Sequence, residues 1–361
     1  MRCFIIRIIP SLIIIAYLTS GCVRNKNPVA PPNLRKLTWT VDTLSHPDNW
    51  QSALPDIWAS SARDVYVAGW ANTTHGILWH YDGGQWEEIK ISATQGGPIF
   101  EPINFADVFG FGPEDVWLGG YWVESNPNPP PYSIHHSLLV HYDGSEWEQV
   151  PTPDDKHIAT VWGPSPDNIW MAGVNGTSFH YDGVSVTRDS IPLDIPRDAG
   201  PYYVALSITG NETEACMLLV DNCSDINRYF FLENRGQGWV VKDSTFYYGS
   251  NKLWMSPSGT LYATGRSLYR RRNGVWEMFL YGQNTLTSFD VYGSSDDNLF
   301  AVGRSNTGHC QGVVYHYNGK DWFAYQELES QEYYYTEVWT DGLEVFITGR
   351  NGTDTIILHG K

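Results

Sequence analysis

The chain has 361 residues, 14% of them aromatic, and its 23 lysines and arginines against 40 acidic residues give a formal net charge of −17. This aromatic content excludes a largely disordered chain, because it supplies enough apolar surface to offset the entropy of ordering. The acidic balance argues against nucleic acid as a general partner, since phosphate binding needs clustered Lys and Arg. The length suffices for one large domain or for two.

Residues 1–21 have the order of a secretory signal, with a positively charged start, an apolar run from Ile8 to Leu18, and small residues before Cys22. The apolar run is shorter than the ~20 residues that a membrane span needs. Because the segment ends on Gly21-Cys22, it resembles a bacterial lipoprotein signal peptide. The resemblance implies cleavage before Cys22 and lipidation of that cysteine, with plain secretion as the alternative.

Residues 22–35 are polar and rich in proline, which predicts an extended tether of about 3.1 Å per residue where polyproline geometry forms. We therefore expect a protein of the bacterial cell envelope that reaches a membrane through its lipid anchor only. Both the periplasmic and the surface side stay open.

Residues 36–361 contain a repeat of about 47 residues, which begins with an apolar-aromatic pair such as Ile57-Trp58 and recurs seven times, to Val338-Trp339. Each unit continues with a strand that ends in Gly, then His-Tyr-Asp-Gly or a variant of it, and Trp. Asp-Gly and Asn-Gly favour tight hairpin turns. About four short strands per unit predict an all-β fold, a seven-bladed β-propeller. Six blades are the alternative, if the degenerate fourth repeat (residues 205–239) is an insertion.

The seventh repeat ends at Lys361, before its fourth strand. A Trp-bearing segment, Lys36 to Val41, stands ahead of the first repeat and has the character of that missing strand. We predict that it completes the last blade, so that the propeller closes and no sheet edge stays open.

The units read Val-Trp-Gly, Asp-Val-Trp and His-Tyr-Asp-Gly-x-x-Trp, and they resemble those of a family of secreted bacterial β-propeller repeat lipoproteins. They are also distantly similar to the Asp-box of sialidase-type propellers, although one residue between Asp and Gly is missing here. The resemblance covers nearly the whole mature chain and implies the fold, but it implies no particular activity.

Five histidines recur at one position of the repeat. We interpret them as packing residues rather than as metal ligands, because each lies on a different blade and outside the innermost strand. They are His80, His141, His180, His316 and His359.

Cys216 and Cys223 stand seven residues apart in one repeat and could form a disulfide in an oxidising compartment. No Cys-x-x-Cys or Cys/His metal spacing occurs in the sequence. We therefore predict neither a bound metal nor another cofactor.

The longest connections, from second to third strand and from blade to blade, share one face of a propeller, where binding loops usually lie. The residue after the Gly that ends the second strand falls near the mouth of the central channel on this face. It is arginine in repeats five to seven and aromatic in repeats one and two. We predict an arc that binds an anionic ligand such as an acidic glycan or a carboxylate, with simple pairing to acidic loop residues as the alternative. The arc consists of Arg266, Arg304, Arg350, Trp70 and Tyr121, with Trp122 beside the last.

No sequence signature of a hydrolase, a phosphate-binding loop or a zinc peptidase is present. Our leading hypothesis is a non-enzymatic, membrane-tethered interaction or ligand-binding module, with a protein or glycan partner that the sequence does not identify. One alternative is a glycan hydrolase or lyase that acts on acidic sugars. Another is an assembly or structural factor of an envelope complex.

Overall fold

A computed structural model gives the structure of most of the chain. The predicted signal peptide, Cys22 and the tether up to residue 32 lie outside the described residues, and the compact unit spans Asn33–Lys361. No helix in the described part of the chain is long and apolar enough to cross a membrane. The described ranges are 33–45, 52–71, 75–99, 102–128, 133–153, 156–193, 203–222, 227–246, 252–280, 286–305, 312–330, 332–351 and 354–361.

Short β-strands make up the unit, with three 3-10 turns at Leu34–Lys36, Ala93–Gln95 and Gln326–Leu328. The first half contains β1 (Trp39–Leu44), β2 (Ser52–Ser61), β3 (Asp64–Ala71), β4 (His75–Tyr81), β5 (Trp86–Ile89), β6 (Ile103–Gly112), β7 (Asp115–Ser125), β8 (Ser133–Tyr142), β9 (Trp147–Gln149), β10 (Ile158–Ser165), β11 (Asn168–Gly173), β12 (Ser178–Tyr181) and β13 (Val186–Arg188). The second half contains β14 (Tyr203–Asn211), β15 (Glu214–Asp221), β16 (Arg228–Asn234), β17 (Trp239–Phe246), β18 (Leu253–Met255), β19 (Leu261–Thr264), β20 (Leu268–Arg272), β21 (Val275–Met278), β22 (Leu286–Ser295), β23 (Asn298–Ser305), β24 (Gly312–Tyr317), β25 (Trp322–Ala324), β26 (Tyr334–Thr340), β27 (Val345–Asn351) and β28 (Asp354–Gly360).

These strands form seven antiparallel sheets of four strands each. Blades 1 to 6 are the consecutive groups β2–β5 to β22–β25, and blade 7 is β26, β27, β28 and β1. The innermost strand of every blade contacts the innermost strands of both neighbouring blades, so the sheets form a closed ring. The predicted seven-bladed propeller is confirmed, and the six-blade alternative is wrong because repeat four supplies a complete sheet, β14–β17.

Blade 7 closes as predicted, by antiparallel pairing of β1 with β28 from Trp39 opposite Gly360 to Leu44 opposite Thr355. Thr38 and Lys361 exchange backbone hydrogen bonds of 2.8 and 3.0 Å just beyond this ladder. A Cβ atom on Gly360 would lie 2.7 Å from the Trp39 indole, so the close approach of the two strands needs glycine. The strand begins three residues later than we predicted, because Leu34–Lys36 forms a 3-10 turn with Leu34 buried.

The apolar core lies between adjacent blades. Ile57 and Val67 of blade 1, for example, pack in one cluster with Phe346 and Ile357 of blade 7. Because each blade buries one face against the next, no blade has a complete core of its own.

The five recurring histidines are packing residues, as we interpreted them. The aromatic residue opposite each of them on the second strand lies 4.0–4.8 Å away between ring centroids. Each Nε2 lies 2.6–2.9 Å from a carboxylate or amide oxygen at the start of the second strand. These pairs are His80–Asp64, His141–Asp115, His180–Asn168, His316–Asn298 and His359–Glu344.

Repeat four lacks the histidine because an ion pair takes its place. Glu233 stands at the equivalent register position, opposite Cys216. Its Oε1 accepts a hydrogen bond of 2.5 Å from Arg271 of blade 5, whose guanidinium lies over the Phe231 ring at 4.4 Å. The packing role is therefore kept while the residue types change.

Cys216 is a free thiol, 1% exposed, in the middle of β15. Its predicted partner, Cys223, lies outside the described residues, and the described part of the chain shows no bridge at Cys216.

We expect removal of β1 to open the ring. A chain that begins at His46 should unfold roughly 10 °C below a chain that begins at Asn33, because it loses both the β1 ladder and the packing of Trp39 and Leu44. It should also form larger species, because the free edge of β28 can pair with another chain. Circular dichroism melts and size-exclusion chromatography of the two chains make the comparison. Equal melting temperatures of the two chains would show that closure of the ring by β1 adds no stability.

Candidate functional site

The centre of the propeller is a cavity of about 420 Å³, lined by residues from all seven blades. The residue just before the apolar-aromatic pair, or its equivalent in repeat four, lines it in every blade. In six blades this residue directly follows a β-bulge, which changes the direction of a side chain relative to a regular strand. We call these seven residues the channel ring: Asp56, Asp107, Thr160, Ser207, Lys252, Asp290 and Glu337.

The channel ring links blades 1 to 5 in succession, and blade 6 to blade 7. Four of its side chains accept hydrogen bonds of 2.6–3.1 Å from backbone amides of the following blade, and the Ser207 hydroxyl donates one of 3.3 Å to the Leu253 carbonyl. Polar side chains on the innermost strands therefore connect the sheets at the axis. The four amide bonds are Val108 to Asp56, Val161 to Asp107, Ile208 to Thr160 and Val338 to Asp290.

Lys252 supplies the positive charge of the channel ring. Its Nζ donates to Asp56 Oδ1 at 2.7 Å and also to Glu337 Oε2. Burial alone would lower the pKa of Lys252, but the carboxylates of Asp290, Asp56 and Glu337 outweigh burial and raise that pKa well above its usual value.

The pKa values of two carboxyl groups in the channel ring are raised, which favours their neutral form. Burial, followed by the negative charge of Asp56, raises the pKa of Asp107 well above its usual value. Burial also raises the pKa of Glu337, against the opposing effect of Lys252. Four carboxyl groups around one ammonium group cannot all ionise in a confined space without a large electrostatic free-energy cost.

The channel ring was not predicted from the sequence. The sequence feature that could have predicted it is the polar residue before the apolar-aromatic pair, in repeats one to three and five to seven. In repeat four the equivalent pair is Ile208-Thr209, directly after Ser207, whereas the sequence suggested Ala205-Leu206, because this pair has no aromatic residue.

Two of the three predicted arginines share Phe289 as a neighbour, and Phe289 also lines the central cavity. Arg304 follows Gly303 on β23, and its guanidinium carbon lies 5.6 Å from the Phe289 ring centroid. Arg350 follows Gly349 on β27 and lines a cavity of about 170 Å³ together with Phe289. We call this cavity the mouth pocket; it is lined by Leu54, Phe289, Thr336, Glu337, Gly349, Arg350 and Thr355.

Arg266 lies on the neighbouring blade 5 and is exposed. The carbonyl of Gly265, one residue earlier, accepts a hydrogen bond of 2.8 Å from the amide of Ser288 in blade 6. Arg266 therefore stands beside the strand that carries Phe289, without being one of the residues that line the mouth pocket.

The predicted aromatic residues occupy the matching positions on blades 1 and 2. Trp70 is half-buried on β3, between Ala53 and Gly76 in register. Tyr121 stacks on His157 at 3.8 Å and on His135 at 4.9 Å, and Trp122 stacks on His136 at 4.0 Å. These histidine neighbours of Tyr121 and Trp122 were not predicted from the sequence.

Two of those histidines form a close pair between blade 2, which carries His135 on β8, and blade 3, which begins just after His157. His135 Nδ1 lies 2.5 Å from His157 Nε2. Burial, followed by the charges of His135 and Lys156, lowers the pKa of His157 to about 4, so this imidazole is neutral at pH 7. A neutral pair can share one hydrogen bond while it stacks on Tyr121. Groups of three or more potential metal ligands are absent from the described residues.

No protein-family model matches the chain, and no curated protein matches it. A solved structure of YCF48 bound to D1 peptide is 14% identical with a TM-score of 0.59, over 89% of this chain and 96% of that one. YCF48 from Cyanidioschyzon merolae is also 14% identical with a TM-score of 0.59, over 88% and 98%. A chain of the Mitotic Checkpoint Complex is 10% identical with a TM-score of 0.57, over 96% and 98%. At these identities the likeness concerns the fold alone.

We expect Lys252→Met to lower the free energy of unfolding by about 3–5 kcal/mol, because it leaves the Asp56 and Glu337 carboxylates buried without their cation. Lys242→Met is the matched control, since Lys242 is 42% exposed and lies 3.7 Å from Glu233. The control should cost less than about 1 kcal/mol. Urea unfolding curves measure both variants. Equal losses in the two variants would contradict a charge-coupled channel ring.

Proposed function

We propose that this protein is a binding module of the bacterial cell envelope whose channel mouth binds an acidic segment of a protein partner. The observation that carries the proposal is the position of two arginines beside Phe289, on a chain of net charge −17. Arg304 lies over the Phe289 ring, and Arg350 lines a pocket together with it. A cationic group on an acidic protein attracts an anion locally while the rest of the surface repels it.

The chemistry of the mouth favours a peptide. Arginine guanidinium groups bind carboxylates with two parallel hydrogen bonds, and aromatic side chains add apolar contact area. Phe289 lies under Arg304 and 5.9 Å from Tyr334, so charge and aromatic surface are adjacent. Of the similar structures, one is described as YCF48 bound to D1 peptide and another as the Mitotic Checkpoint Complex, and propellers of this shape therefore occur with protein partners.

The alternative of a glycan hydrolase or lyase finds no support in the channel ring. The carboxyl groups that such an enzyme could use there accept backbone amides from the next blade or bond to Lys252. These bonds hold the blades together.

The cellular location of the protein is also part of this proposal. Lipidated Cys22 would hold the propeller near a membrane, and the Pro-rich residues 23–32 would keep it at a distance from the lipid surface. More than one acyl chain is needed for stable anchoring, at about 0.8 kcal/mol per buried CH₂. The resemblance of the repeats to those of secreted bacterial propeller lipoproteins supports the same cellular location.

The double variant Arg304→Ala/Arg350→Ala should weaken binding of a fluorescein-labelled Glu-rich peptide at least tenfold, because each charge-assisted hydrogen bond contributes about 1.5–3 kcal/mol. Fluorescence anisotropy measures the affinity, with an oligogalacturonate as the acidic glycan competitor. The matched control is Arg188→Ala, which removes an exposed arginine that lies 5.8 Å from the Phe179 ring.

Unchanged peptide affinity in the double variant would overturn the role of the mouth. Absence of any binding by the unaltered protein to the acidic peptide would overturn the proposed function itself. Tight binding of the oligogalacturonate in place of the peptide would identify a glycan module instead.

For the anchor, Cys22→Ser should abolish incorporation of labelled palmitate and move the protein out of the detergent-soluble membrane fraction of a bacterial host. Cys216→Ser, a change at a buried thiol, is the control and should keep the label. Continued labelling of the Cys22→Ser protein would show that the anchor lies elsewhere.

A further inference from the structure

The mouth pocket contains a buried hydroxyl group that has no hydrogen-bond partner. Thr355 Oγ1 is unpaired, and the residue is only 2% exposed. Thr355 pairs in register with Arg350 across β27 and β28, and both residues line the pocket. A buried unpaired hydroxyl costs about 1–3 kcal/mol, so native proteins rarely keep one without a reason.

Two of the residues that line the pocket are apolar side chains from other blades. Leu54 of blade 1 is 6% exposed, and Phe289 of blade 6 is the ring that Arg304 covers. The volume of about 170 Å³ corresponds to roughly five water molecules, which is the size of a short side chain that ends in a small polar group.

The charges around the pocket favour an anion at its polar end. Arg350 lines the pocket and Arg304 lies above the shared Phe289. Glu337 also lines the pocket, but its Oε2 accepts a hydrogen bond from Lys252 Nζ, so this carboxyl group already has a cation. The remaining lining hydroxyl, Thr336 Oγ1, lies 2.7 Å from Thr348 Oγ1 and is therefore already paired.

We infer that the mouth pocket binds a single carboxylate group of an extended peptide, with the Arg350 guanidinium and the Thr355 hydroxyl as donors and Leu54 and Phe289 around the aliphatic stem. This inference rests on the proposed function and specifies its ligand. The carboxylate can come from an acidic side chain or from a chain end, since both present the same planar pair of oxygens.

The experiment uses three labelled peptides of equal length. The first alternates Gly and Glu and has an amidated end, the second alternates Gly and Gln and has a free carboxyl end, and the third alternates Gly and Gln and is amidated. Fluorescence anisotropy gives their affinities for the unaltered protein and for Arg350→Gln, Thr355→Val and Thr177→Val. Thr177 is the matched control because its Oγ1 is also buried and unpaired, on blade 3.

We expect the peptide with the effective carboxylate to bind about tenfold more weakly to Thr355→Val and to lose measurable binding to Arg350→Gln. Thr177→Val should bind as the unaltered protein does. The melting temperature of Thr355→Val should equal or exceed that of the unaltered protein, because the substitution removes an unpaired hydroxyl at constant shape. A loss of affinity in a fully folded Thr355→Val protein therefore cannot come from unfolding.

The first two peptides separate the two sources of the carboxylate, and binding of either above the third supports the inference. Acidic-peptide binding that falls in Arg304→Ala but is the same in Arg350→Gln and Thr355→Val overturns the pocket and leaves the proposed function intact. Failure of the unaltered protein to prefer either carboxylate peptide over the third overturns both.

Discussion

The ladder between β1 and β28 is the contact on which the rest of the molecule depends. It joins the first described strand to the last and turns a row of sheets into a ring. It also shapes the mouth pocket, because Thr355 lies between Leu44 of β1 and Arg350 of β27. The interaction that stabilises the fold therefore also holds the polar wall of the candidate site, so the groups proposed to bind a partner are already in position.

Charge is distributed unevenly along the axis of the propeller. Four of the seven channel-ring residues are acidic. Three of them accept hydrogen bonds from backbone amides of the next blade, and Lys252 offsets part of the charge. Arginines stand at the mouth instead, on the residue after the glycine that ends a second strand. Carboxylates thus connect the blades at the axis, whereas guanidinium groups lie at the proposed binding site.

Much of the fold could be predicted from the sequence, because each blade repeats its own turn and aromatic residues. The number of blades stayed open because repeat four has Glu233 in place of the recurring histidine. Glu233 pairs with Arg271 of repeat five, and an alignment of the repeats does not show a contact between two of them. The channel ring was missed because its residue types vary and a β-bulge decides where they point. The mouth pocket draws Leu54, Phe289 and Thr355 from three blades, and no spacing along the chain indicates that they meet.

The closing strand is also the point at which the N-terminal segment enters the propeller. Any pull on the chain ahead of Asn33 reaches β1 before it reaches another strand. When the pull runs along β1, all six residue pairs with β28 carry the load together, in shear. If lipidated Cys22 held the body to a membrane, as proposed, a force on the anchor would reach the β1–β28 ladder, the seam that closes the ring.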